Sequence, residues 1–97
     1  MTRDVVCYRF ASEVPLPEIE GTLLLAVLAV AALVGEAAVQ IDGRYTLDPE
    51  QGVCLIDAGT ETGRSIAKVF TGLANQEFGS SAFVVERVVA PVSSPAA

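Results

Sequence analysis

Histidine and tryptophan are missing from this 97-residue chain, and positive charge is scarce: six Lys and Arg face twelve Asp and Glu, for a formal charge of −6. Without histidine there is neither the commonest general base nor the commonest metal ligand near neutral pH. Catalysis would fall to carboxylates, to Tyr8 or Tyr45, or to a thiol, and no such constellation stands out. We therefore expect no enzyme, no metal and no cofactor. The acidic balance repels phosphate backbones and anionic lipid surfaces, which argues against nucleic acid or a membrane as partner.

Cysteine is equally sparse. Cys7 and Cys54 lie far apart inside apolar runs, without the CxxC spacing of zinc or redox sites, and read as reduced core thiols with no disulfide expected. The acids Asp42, Asp48, Glu50 and Asp57 fit neither an EF-hand loop nor a paired-carboxylate site; turn chemistry and solvation account for them. No charged segment followed by an apolar one opens the chain, so a cytoplasmic location is the expectation.

Apolar side chains are what the sequence has in excess: 52% of residues are hydrophobic and only 19% charged. That is too apolar for a disordered chain, and it exceeds what a small domain needs for one core. The surplus is concentrated in the thirteen residues from Thr22 to Val34, between Gly21 and Gly35. As a membrane span this run falls short of the ~20 residues a helix requires.

Taken in order, Val5 to Phe10 is rich in β-formers and predicts a strand with Val6, Tyr8 and Phe10 on one face. Pro17, Glu18 and Glu20 mark a helix start, and Gly35 its end near Val34. At 100° per residue, Ile19, Leu23, Ala26, Val27, Val30, Leu33 and Val34 form a core stripe. The other side carries Leu24, Leu25, Leu28, Ala29, Ala31 and Ala32, where a solvated helix would carry Lys, Glu or Gln.

From Ala37 to Leu47 the odd positions are apolar at Val39, Ile41, Tyr45 and Leu47, which predicts one long strand kinked near Gly43. Asp48-Pro49-Glu50-Gln51-Gly52 turns the chain into a strand over Val53 to Asp57. A second helix follows, with Ile66, Val69, Phe70, Leu73 and Ala74 inward and Arg64, Lys68, Thr71 and Asn75 outward. It ends near Gly79, and Phe83 to Ala90 makes a last strand. The chain thus reads as a single α+β domain over residues 1–91 with a disordered tail at 92–97. Its β-α-β-β-α-β order gives a four-stranded antiparallel sheet with two helices on one face, the arrangement called ferredoxin-like.

Two surfaces invite a functional reading. The segment from Asp57 to Ser65 follows a strand and opens a helix, and in this it resembles the phosphate-binding loop of nucleotide hydrolases. Gly59, Thr60, Thr62, Gly63 and Arg64 would then hold a small anion, as in a ligand-binding regulatory domain. The glycines stand one residue too close for that motif, Arg64 replaces its lysine, and Glu61 puts negative charge at the mouth. Gly59 as the turn and Thr60 as the helix cap explain the stretch more simply.

The other surface is the six-residue outer face of the first helix. A patch of several hundred Å² is the size at which exposed apolar surface marks a partner site. Small residues between leucines let helices approach closely, which suits a second copy of the chain better than a flexible ligand. The leading expectation is a non-enzymatic structural module that forms a homo-oligomer, a trimer or larger. A patch this simple in composition is also what a designed, cage-forming interface would carry.

Overall fold

The computed structural model describes residues 2–91, and the tail at 92–97 lies outside them. The order is β1 (Thr2–Phe10), α1 (Leu16–Val34), α2 (Glu36–Asp42), β2 (Tyr45–Asp48), β3 (Val53–Asp57), α3 (Glu61–Phe78) and β4 (Phe83–Pro91). Four strands form one open antiparallel sheet in the order β2-β3-β1-β4. The class is α+β, with three helices rather than two.

Strand parity separates the two faces of the sheet. Val6 lies opposite Ile56 and Arg87, Tyr8 opposite Cys54 and Val85, and Phe10 opposite Phe83. These side chains share one face because alternate residues of a strand point the same way. Helices α1 and α3 pack side by side over that face, and Tyr8, Phe10, Cys54, Ile56, Phe70 and Phe83 are buried beneath them. The Tyr8 ring stands edge-on to Phe70 at 4.8 Å between centroids, at an interplanar angle of 89°. Edge-to-face contact sets the positive rim of one ring against the negative face of the other.

The added helix corrects the sequence reading between Ala37 and Leu47. Strand alternation places Val39 and Ile41 on one side, whereas in α2 they are about 200° apart. Val39 is accordingly buried, while Ile41 is 70% exposed. Glu36, Ala37, Ala38 and Gln40 are good helix formers that the alternation left uncounted. The boundary with α1 is Gly35, whose φ of 93° is a conformation other residues rarely adopt. Its N–H still donates to Ala31 O at 2.8 Å, and the chain turns there instead of extending. The strand that follows is consequently only four residues long.

The inward stripe of α1 also differs from the expected one at its C-terminal end. Ile19, Thr22, Leu23, Ala26 and Val30 are buried, but Leu33 is 83% exposed and Val34 is exposed as well. Val27 and Ala31 complete the stripe as half-buried residues against the core. Residues 19, 22, 23, 26, 27, 30 and 31 form a regular i, i+3, i+4 series. Leu33 and Val34 continue that series in phase, but they sit in the last turn, past the buried part of the stripe, and stay exposed.

Candidate functional site

On α1 the structure brings five of the six anticipated residues to the surface. Leu24, Leu25 and Leu28 are 46%, 59% and 64% exposed, and Ala29 and Ala32 are exposed beside them. Ala31 is the sixth, and it turns inward. The outer face therefore reads Leu24, Leu25, Leu28, Ala29 and Ala32, and Leu33 is exposed separately in the last turn, on the opposite side of the helix from Leu24. No basic residue occupies the last turn and no side chain caps the first, where Pro15 O receives the N–H groups of Glu18 and Ile19 at 3.1 and 3.3 Å.

With 19 residues and a mean hydropathy of 1.9, α1 is the one helix among the described residues long and apolar enough to cross a membrane. It is thus longer than the Thr22–Val34 run. Its inner stripe is held in the core by the sheet and α3, so lipid and core would compete for the same side chains.

A second apolar surface, on the sheet, escaped the sequence reading. The face turned away from the helices carries Leu55, Val84 and Val88, which are exposed, around the buried Cys7 and Val53. Arg9 and Glu86 lie on the same face, 4.0 Å apart and both exposed, so the pair contributes little in water. The signal was present in Val53-Cys54-Leu55-Ile56 and Val84-Val85, where apolar residues occupy both parities. Continuous apolar runs of this kind belong to strands covered on two faces.

The two cysteines lie on opposite faces of neighbouring strands, Cys54 under the helices and Cys7 on the open side, and both are free thiols. Burial, and after it the nearby Cys7, pushes the Cys54 thiol up to about 12. A thiol held protonated by burial packs as a small hydrophobic side chain.

The glycine loop closes on itself. Thr60 caps α3, its Oγ1 accepting from Gly63 N at 3.0 Å and donating to Asp42 O at 2.9 Å. Gly59 N donates to Asp57 Oδ1 at 2.8 Å, and Arg64 N donates to Thr60 O at 3.0 Å. A carboxylate of the chain itself thus stands where an anion would sit. Gly63 is buried so close to the Asp57 carbonyl that a Cβ has no room, which gives this glycine a packing role. The Arg64 guanidinium donates back to Ala58 O at 3.3 Å, away from the loop's mouth. Of the five residues anticipated as anion ligands, Thr62 and Gly63 are buried and Thr60 serves as the cap.

Among the described residues no group of His, Cys, Asp and Glu is arranged to hold a metal ion. No protein-family model, no curated protein and no solved structure matches the chain.

Proposed function

We propose that the chain is a non-enzymatic, self-associating structural module that forms a closed homo-oligomer, a trimer or larger, through the outer face of α1. The observation that carries this reading is the exposure of Leu24, Leu25 and Leu28 along one side of a single helix. Burying about 400 Å² of such surface per subunit is worth on the order of 10 kcal/mol before association costs. The open side of the sheet supports a stoichiometry above two. A twofold dimer needs one self-complementary patch, and two apolar surfaces on different sides of a subunit allow two kinds of contact, as dihedral assemblies use.

The finer fold assignment belongs to the same proposal. The strand order β2-β3-β1-β4 and the placement of α1 and α3 over one sheet face support a ferredoxin-like frame, with α2 as an added turn of chain after α1.

Light scattering at micromolar concentration tests the assembly, with a particle of three subunits or more expected. A folded monomer of 10.1 kDa would overturn the reading. Leu25→Glu with Leu28→Glu then tests the surface: the double variant should be folded, soluble and smaller. Unfolding of the double variant would place these leucines inside their own domain. Retention of the full particle would move the interface elsewhere, with the open sheet face first in line.

A further inference from the structure

We propose that the groove between α3 and β4 is a binding site for a small amphipathic carboxylate, an alkyl or aryl chain carrying one acid group. The groove is open along one side and offers about 490 Å³, within the ~300–1,000 Å³ of ordinary ligand sites. Its floor is apolar, formed by Val6 and Val85 of the sheet and by Ala58 and Ala67 beside them. Tyr8 lies beneath, with its hydroxyl already engaged: it is 2.7 Å from Thr71 Oγ1 and donates to Ala67 O at 3.1 Å. Thr71 Oγ1 also reaches Ala67 O, at 2.7 Å. The polar atoms of the floor thus satisfy one another and leave a dry wall for a hydrocarbon.

The lip of the groove has the opposite character. Arg64 and Lys68, one turn apart on α3, face Arg87 across on β4. These are three of the six cations in a chain with a charge of −6. Like charges one turn apart on a helix repel, and a third across the gap adds to the cost. Among the described residues no acid lines the groove. Asp4 stands 3.9 Å from the Arg87 guanidinium, with both side chains more than half exposed. Charge complementarity therefore calls for an anion, and the apolar floor calls for a body attached to it. Arginine meets a carboxylate in a two-pronged fork, and lysine adds a point charge.

A bare phosphate or a nucleotide fits less well, because the amides of Gly59, Gly63 and Arg64 are bound within the chain and offer no phosphate cradle. The site is separate from the outer face of α1 and does not depend on self-association.

Octanoate, 1-octanol, acetate and inorganic phosphate, titrated separately into isotopically labelled protein and followed by backbone amide shifts, test the assignment. Octanoate should shift Ala67, Lys68, Val85 and Arg87 saturably, and the other three compounds should bind at least tenfold more weakly. Lys68→Glu and, separately, Arg87→Glu should each weaken octanoate at least tenfold, and both positions are exposed enough to keep the fold. The proposal fails if octanol or phosphate binds as tightly as octanoate. It fails equally if the shifts map to Leu24, Leu25 and Leu28, or if both charge reversals leave affinity unchanged.

Discussion

Helices α1 and α3 are nearly equal in length, 19 and 18 residues, and lie side by side on the same sheet, yet their outer surfaces have little in common. On α3 the outward residues Arg64, Lys68 and Asn75 are exposed and polar, Thr60 caps the first turn, and the inward Ile66, Phe70 and Ala74 are buried. On α1 the inward stripe is just as regular, but leucines and alanines occupy the outer side and the first turn has no side-chain cap. The shared sheet dictates the two inner faces in the same way. Only what lies outside each helix differs: water for α3, and on our reading another subunit for α1.

Breaking the inner face of α3 should have the largest effect. Phe70 is fully buried and packs edge-on against both Tyr8 and Phe10. Phe70→Ala should cost about 3–5 kcal/mol, read as a lowered urea midpoint. A loss below about 1 kcal/mol would mean that α3 is not the helix that closes the core.

Alkaline pH probes the same core through the thiol under the helices. The Cys54 thiol ionises near 9.0 when unfolded and near 12 when folded, so the unfolded chain gives up its proton first. The contribution is full below pH 9 and is lost as pH rises from 9 towards 12, by at most about 1.4 kcal/mol per pH unit. Tyr8 pulls in the same direction from pH 10 upward, because burial raises its hydroxyl more than the Thr71 hydrogen bond lowers it. Between pH 8 and 10.5 the urea midpoint should fall, and Cys54→Ala should flatten that fall. An unchanged slope in the variant would assign the alkaline loss to other groups.

The cap of α3 comes next. Thr60→Ala removes the acceptor for Gly63 N and should destabilise by about 1 kcal/mol, whereas Thr60→Ser should be nearly neutral. Equal losses for the two would mean that the methyl group of Thr60, and not its hydroxyl, matters.

The smallest effect is expected in the exposed last turn of α1. Leu33→Gln should change monomer stability by no more than about 0.5 kcal/mol, as usual for a surface site. A loss approaching that of Phe70→Ala would erase the contrast between the two helices. It would return Leu33 to the core face on which its helical phase first placed it.

Much of this was legible beforehand, for identifiable reasons. Val6, Tyr8 and Phe10 alternate cleanly, Asp48 to Gly52 is a turn in its chemistry, and Ile66, Phe70 and Ala74 keep helical spacing. Local pattern and tertiary demand agree at those positions. The segment from Glu36 to Asp42 was misread because seven residues suit either period, and its Val39 and Ile41 favoured the strand. The outer face of α1 was legible except for Ala31, which packs against the core, and the inner stripe except for Leu33 and Val34, which are exposed in the last turn. An idealised wheel carries no record of where α3 and α2 make contact. The apolar open face of the sheet was spelled out in unbroken apolar runs, but only pairing to known neighbours turns such a run into a surface.

Sequence alone determined the α+β class, the acidic charge, the apolar excess of the first helix and the capping role of Thr60, because each depends on composition or on residues within one turn of each other. Tertiary structure decided the rest. Pairing of β1 with β4 set Arg87 across from Arg64 and Lys68, and packing of α1 against α3 settled which leucines remain outside. Those relations join residues distant in the chain, and their distances are set by sheet register and helix contact, which no local spacing encodes.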